Sequence, residues 1–182
     1  MFKQIIIPIT LFFMIACGEK PNKQEKFLAN YQEFCGYAYE GKATINEISS
    51  GGAFENVRLI MILETCEDDL IRMPFYVGSD HSRTWVIQMK DGHLHLSHDH
   101  RYEDGSQHEA NFYGGYSDDR GTDFKQYFPA DEQTIKERPG RLINTWSKAF
   151  DIERGNYFYR LYQNDVLRFE VVFDLTNQLP ID

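Results

Sequence analysis

Positive charge is scarce in this chain of 182 residues, where 19 lysines and arginines stand against 28 aspartates and glutamates and give a formal net charge of −9. An acidic protein is repelled by the phosphates of nucleic acids and by anionic lipid surfaces. The lysines and arginines form no basic patch along the chain. The composition therefore excludes nucleic acid as an expected partner.

Long hydrophobic runs are also missing. The N-terminal apolar segment, Ile5–Ala16, has 12 residues and includes Pro8, whereas a membrane-spanning helix needs about 20. Lys3 precedes this segment and Cys17 follows it directly. A basic start, a short apolar stretch and a small residue before a cysteine are typical of a secretory signal with a lipobox. We therefore predict a lipoprotein signal peptide at residues 1–16 and acylation of Cys17 after cleavage.

Acylation of Cys17 predicts a protein of the bacterial envelope that is attached to a membrane through its lipid. Gly18 follows the cysteine, where an aspartate would resemble an inner-membrane retention signal, so we expect the outer membrane. Residues 17–30 are interpreted as the acylated cysteine and a polar tether, and residues 31–182 as a single β-barrel domain. An ordinary signal peptide with an incidental cysteine and a buried N-terminal helix are the alternatives.

Cysteine is rare, with three in the chain. If Cys17 carries lipid, Cys35 and Cys66 remain in an oxidising compartment, where pairing is expected. A hairpin turning at Ser50 and Gly51 would pair residues whose numbers sum to 101, and this places the two cysteines opposite each other. We predict a disulfide bond between them, with two free buried thiols as the alternative.

Most of the remaining chain consists of short apolar or alternating runs separated by turn residues. Asp91-Gly92 is its strongest hairpin signal, and Val166–Leu175 alternates between apolar and other residues. One helical stretch, Asp131–Glu137, ends before Pro139-Gly140. About ten such runs predict an all-β antiparallel meander. We expect closure into a lipocalin- or fatty-acid-binding-type barrel, which removes exposed edges; a β-sandwich is the alternative.

All six histidines lie between residues 81 and 108. The Asp91-Gly92 turn pairs residues whose numbers sum to 183, so Trp85 faces His98. Because side chains alternate along a strand, both share an apolar face that is expected to point into the barrel. The same register predicts an interior ligand site formed by six residues, namely His81, Arg83, Trp85, His98, His100 and Tyr102. His93 and His95 fall on the opposite face and are expected at the surface.

Two other interpretations of this cluster stay open. Its polar side chains can form a hydrogen-bonded network that fills the barrel without any ligand. Alternatively, His98 and His100 bind a transition metal such as zinc together with Glu103. The leading interpretation, a small-molecule site at a barrel mouth, requires no cofactor.

Motifs of familiar catalytic classes are missing. The chain has no Gly-x-Ser-x-Gly elbow, phosphate-binding loop or dinucleotide-binding glycine motif. Ser97, His98 and Asp99 are consecutive, but neighbours on a strand point to opposite faces and do not form a triad. The sequence therefore favours a binding protein over an enzyme.

Several segments are familiar as a set. They are Cys35-Gly36, Ser82-Arg83-Thr84-Trp85, His98-Asp99-His100-Arg101, Tyr113-Gly114-Gly115, Phe128-Pro129-Ala130-Asp131 and Phe173-Asp174-Leu175-Thr176. Together they resemble an uncharacterised family of secreted or lipid-anchored bacterial proteins that has no established activity. The resemblance implies no substrate or catalytic residue. The function we expect is an envelope-anchored barrel that binds a small ligand. The alternatives are a metal-binding protein or metalloenzyme and a structural scaffold whose protein partners are unknown.

Overall fold

The computed structural model describes residues 20–48, 52–109 and 111–181. The predicted signal peptide, Cys17 and the predicted turn at Ser50 and Gly51 lie outside the described residues. The strands are β1 (Ala38–Asn46), β2 (Leu59–Ile62), β3 (Thr65–Cys66), β4 (Leu70–Val77), β5 (Asp80–Lys90), β6 (His93–His100), β7 (Tyr113–Tyr116), β8 (Lys125–Pro129), β9 (Asn144–Asp151), β10 (Asn156–Gln163) and β11 (Val166–Asp174). The helices are α1 (Lys23–Ala29), α2 (Glu132–Glu137) and 3-10 turns at Gln32–Phe34, Pro139–Arg141 and Ile152–Arg154.

These strands form one antiparallel sheet. Its hydrogen-bonded order is β7-β6-β5-β4-β2-β1-β11-β10-β9-β8, and β3 pairs with β4 beside this path. The end strands β7 and β8 lie next to each other, so the sheet curls into a nearly closed ten-strand barrel. The predicted antiparallel barrel is confirmed. None of the helices in the described ranges has the length and apolarity needed to cross a membrane.

The hairpin of β5 and β6 has the predicted register, with Trp85 opposite His98. Asp91 and Gly92 have φ values of 50° and 79°, the left-handed conformation that a two-residue type I′ turn requires at both positions. The turn therefore sets which side chains of β5 and β6 point into the barrel, and Trp85, His98 and the leucines between them are buried.

Closure of the barrel depends on a close approach between β7 and β8. The backbone N–H of Asp131 donates to the carbonyl of Gly114 at 3.0 Å. The Thr134 hydroxyl of α2 accepts from the N–H of Gly114 at 2.8 Å and donates to its carbonyl at 3.0 Å. Gly115 lies against the carbonyl oxygen of Pro129, at a position where a Cβ atom would overlap that oxygen. Glycine at this position therefore allows the two end strands to meet.

Helix α1 belongs to the folded domain, which corrects the tether predicted over residues 17–30 at Lys23–Ala29. Asn22 caps the helix: its side chain accepts from the backbone of Glu25, whose carboxylate accepts from the backbone N–H of Asn22. Phe27 and Leu28 are buried in the core. Burial of two such side chains stabilises the fold by about 1.5–3 kcal/mol each, and a capping box supports the short helix.

The predicted disulfide bond between Cys35 and Cys66 is confirmed, with Cα atoms 6.1 Å apart. The hairpin argument behind it is corrected, because Ala38 pairs with Ile62 and the paired numbers of β1 and β2 sum to 100 rather than 101. Cys35 precedes β1, and Cys66 lies in β3, which pairs with β4 rather than β1. The bond therefore ties the segment that follows α1 to the β3 edge.

Candidate functional site

A cavity of about 300 Å³ lies in the barrel interior. Small-molecule sites typically occupy roughly 300–1,000 Å³, so this cavity suits a small ligand. Four of the six residues predicted for the ligand site line it, namely Arg83, Trp85, His98 and His100. The β5–β6 register brings these four together, since they lie opposite one another in pairs.

The walls of the cavity are mainly aromatic. Trp85 stacks on Phe75 with ring centroids 4.3 Å apart, and its indole lies 4.4 Å from the ring of Tyr159. Trp146 of β9 and Phe169 of β11 extend this surface across the barrel. Flat rings favour offset-stacked and edge contacts with other rings, so the walls fit a planar apolar group.

His98 is neutral and holds one tautomer. Burial is the main cause that lowers its pKa well below the ordinary value. Its Nδ1 lies 3.0 Å from the carbonyl oxygen of Tyr113, which only accepts, so Nδ1 carries the proton. Nε2 then accepts from the Tyr159 hydroxyl at 2.9 Å. Both ring nitrogens are therefore engaged within the protein.

His100 lies half-buried in the cavity wall. Its Nε2 is 3.2 Å from the hydroxyl of Tyr113. Burial, followed by the positive charge of Arg83, lowers the pKa of His100 to about 4. The imidazole is therefore neutral at pH 7, and it presents a polar edge without charge to the cavity.

Two guanidinium groups line the cavity. Arg83 donates to Asp80 at 2.5 Å. Burial opposes ionisation of Asp80, but hydrogen bonds from Ser82 and the charge of Arg83 hold its pKa at about 2, so the pair is ionic. Arg141, from the 3-10 turn after α2, lies over the ring of Tyr113 with its central carbon 3.8 Å from the ring centroid.

Lys148 points into the barrel beneath the cavity wall and is fully buried. Its Nζ lies 3.2 Å from the Trp85 ring centroid and 4.3 Å from that of Tyr159. No hydrogen-bond partner for Nζ exists within the described residues. Burial lowers the pKa of this amine well below its ordinary value. Every second residue of this part of β9 points inward, namely Trp146, Lys148 and Phe150. This period-2 pattern is the sequence signal that predicts an inward lysine.

The other two predicted ligand residues lie outside the cavity. His81 is exposed, and its ring stacks on that of Tyr76 with the ring centroids 3.7 Å apart. Tyr102 is 48% exposed. The pairing of β4 and β5 shifts register between Phe75 and Val77, which breaks the alternation expected at the start of β5. The predicted interior position of these two side chains is therefore wrong.

The metal alternative lacks its third ligand in this arrangement. Glu103 lies exposed beside His81 in a separate surface depression, away from the cavity that holds His98 and His100. Over residues 20–48, 52–109 and 111–181, no group of three or more histidine, cysteine or acidic side chains is placed to hold a metal ion.

The remaining two histidines of β6 face away from the cavity. His93 is exposed, as expected. His95 is mostly covered, and its Nε2 lies 3.0 Å from the carboxylate of Asp131. Asp131 caps helix α2, so His95 joins β6 to that helix rather than lying free at the surface.

The fold and this site define a class, an antiparallel β-barrel with an aromatic interior cavity and two arginines in its wall. Comparison of the chain with protein-family models, curated proteins and solved structures finds no match. A function for this protein is therefore inferred from the geometry of the cavity.

Proposed function

We propose that this protein is a non-enzymatic barrel that binds a small organic molecule in its interior and is held in the bacterial envelope by a lipid on Cys17. The observation that carries the binding role is the interior cavity of about 300 Å³ with aromatic walls and few polar groups. Ligand sites typically combine an apolar lining with a small number of placed polar side chains.

The bonding of the polar side chains supports binding over catalysis. His98, the most buried imidazole of the site, has both nitrogens engaged. Asp99 pairs with Arg101 at 2.9 Å on the other side of β6. A general base must reach a proton of the substrate. Neither ring nitrogen of His98 is free to do so, because both already form hydrogen bonds within the protein.

Binding is testable because the two tryptophans of the chain, Trp85 and Trp146, both line the cavity. We expect 4-isopropylbenzamide, 4-isopropylbenzoate or octanoate to change the tryptophan fluorescence of the purified protein saturably at 1:1 stoichiometry. Leu161→Phe adds a ring to the cavity wall and is expected to weaken this binding at least tenfold. Leu142→Phe, at an exposed position, should bind like the unchanged protein.

Native mass spectrometry of the protein from its producing cells provides a second readout, since a retained organic mass supports the proposal. A bare polypeptide mass together with no fluorescence response to any probe would contradict it. A stoichiometric metal that disappears in the His98→Ala, His100→Ala double variant would favour the metal-binding alternative instead.

The lipid anchor rests on the N-terminal pattern of Lys3, the apolar segment Ile5–Ala16 and Cys17. We expect the full chain to sediment with membranes and to require detergent for extraction, and Cys17→Ser to move it to the soluble fraction. Ser50→Ala serves as the control substitution and should leave the protein on the membrane. Equal membrane association of the unchanged and Cys17→Ser proteins would contradict acylation at this cysteine.

A further inference from the structure

The arginines of this chain divide into two groups by their partners. Within the described residues, eight of the ten arginines form ion pairs with carboxylates. Arg138 and Arg141 do not, and both lie against the ring of Tyr113, at 5.9 Å and 3.8 Å from its centroid. Tyr113 lines the cavity. Of these two guanidinium groups without an acidic partner, that of Arg141 lines the cavity.

Arg141 is the better placed of the two to meet a ligand. Arg138 donates to the backbone carbonyl of Glu109 at 2.8 Å and does not line the cavity. Arg141 does line it, and the Tyr113 ring holds its planar group in place. A guanidinium offers a fork of donors that matches a carboxylate in two hydrogen bonds.

Arg141 places positive charge at the cavity wall although the protein is acidic overall. Burial is the main cause of the lowered pKa of His98 and His100, and Arg141 lowers both further. Arg141 also acts on the hydroxyl groups of Tyr113 and Tyr159, lowering pKa values that burial raises. The carboxylate of Asp80 that offsets Arg83 is not part of the cavity wall. An uncharged or cationic ligand would leave the positive charge of Arg141 without a negative partner.

We infer that the ligand is a small organic carboxylate with a flat aromatic body, its carboxylate on Arg141 and its ring against Trp85, Tyr159 and Trp146. This inference rests on the proposed ligand-binding function and adds the ligand class to it. The charge of Arg141 selects the head group, and the aromatic walls select the body. The volume of about 300 Å³ limits the ligand to a single ring system with short substituents.

The test compares two probes of equal shape, 4-isopropylbenzoate and 4-isopropylbenzamide, by titration calorimetry at pH 7. We expect the acid to bind about 10- to 100-fold more tightly than the amide, because a hydrogen bond to a charged group contributes about 1.5–3 kcal/mol. Arg141→Gln should remove most of this difference by weakening the acid, with a much smaller effect on the amide. Octanoate, with the same charge and no ring, should bind about 2- to 10-fold more weakly than the aromatic acid.

Arg154→Gln is the matched control, because Arg154 is exposed in the turn between β9 and β10 and pairs with Asp151. It removes the same charge from the protein and should leave the preference for the acid intact. Retained amide binding by Arg141→Gln shows that this variant is folded with its cavity in place. Equal affinities for acid and amide would overturn the ligand class and keep the binding function. Failure of all probes to bind would overturn both.

Discussion

Replacing Lys148 by methionine is expected to stabilise the protein at pH 7. The amine is fully buried with no hydrogen-bond partner among the described residues, and an unsatisfied buried donor costs about 1–3 kcal/mol. Methionine has a similar length and no polar donor, so it keeps the contacts with Trp85 and Tyr159 and removes this cost. Urea denaturation monitored by tryptophan fluorescence measures the change in the free energy of unfolding.

The gain from Lys148→Met depends on pH in a defined direction. Burial lowers the pKa of Lys148 in the folded state, while an unfolded lysine titrates near 10.4. Between these two pKa values the unfolded chain binds the extra proton, so the stability of the unchanged protein rises with pH by up to about 1.4 kcal/mol per unit. The methionine variant lacks this slope. Its advantage therefore shrinks as the pH rises towards 10 and grows as the pH falls, until Lys148 is protonated in the folded state as well.

Lys42→Met is the matched control, because Lys42 lies exposed on β1. Exposed substitutions usually change stability by less than about 0.5 kcal/mol, and the pH slope of this variant should equal that of the unchanged protein. The opposite result for Lys148→Met would be lower stability with an unaltered pH slope. It would mean that the aromatic faces hold a protonated amine.

Gly115→Ala is expected to destabilise the barrel by about 1–3 kcal/mol, the usual range for an added methyl group without space. Its Cβ would overlap the carbonyl oxygen of Pro129, a backbone atom that moves only if β8 moves. The expected consequence is separation of β7 from β8 at the closure of the barrel. Amide hydrogen exchange should show faster exchange for the N–H of Asp131, which donates to Gly114 across this junction.

Gly140→Ala makes the same chemical change where a Cβ meets no atom within 4 Å. The φ angle of Gly140 lies outside the left-handed region, so we expect a change between zero and about 1 kcal/mol of added stability. Equal stability of the two alanine variants would show that β7 and β8 do not need this close approach.

The sequence predicted the hairpin at the site with its register. Asp91-Gly92 is a local signal, because two residues with positive φ select a tight turn whatever lies elsewhere in the chain. The period-2 alternation then placed Trp85 and His98 inside together. The same local logic failed for His81, since the register shift near Phe75 arises from pairing with β4 and has no mark in β5 itself.

The sequence also carries local signals for helix α1 and for the inward position of Lys148. Asn22 and Glu25 form a capping box before the apolar pair Phe27 and Leu28, which is the pattern of a helix start. Lys148 occupies an inward position in the alternation of β9. Composition alone predicts that a lysine at such a position is exposed to solvent, because a buried lysine without a partner is rare.

No local pattern in the sequence predicts that Arg141 lies at the site. It lies in a 3-10 turn after α2 and reaches the cavity because α2 closes over β7 through Thr134 and Gly114. Its contact with Tyr113 joins two segments 28 positions apart in the chain. Such a contact depends on how the helix packs on the barrel end, which the turn sequence does not encode by itself.

The sequence by itself determined the antiparallel meander, the inward face of the β5–β6 hairpin and the pairing of Cys35 with Cys66. Strand alternation and turn chemistry act over a few residues, and three cysteines allow only three pairings. Only the tertiary structure decided the cavity volume, the exposure of His81 and the arginine facing the site. These features depend on the distances between segments far apart in the chain, and packing of the whole barrel sets those distances.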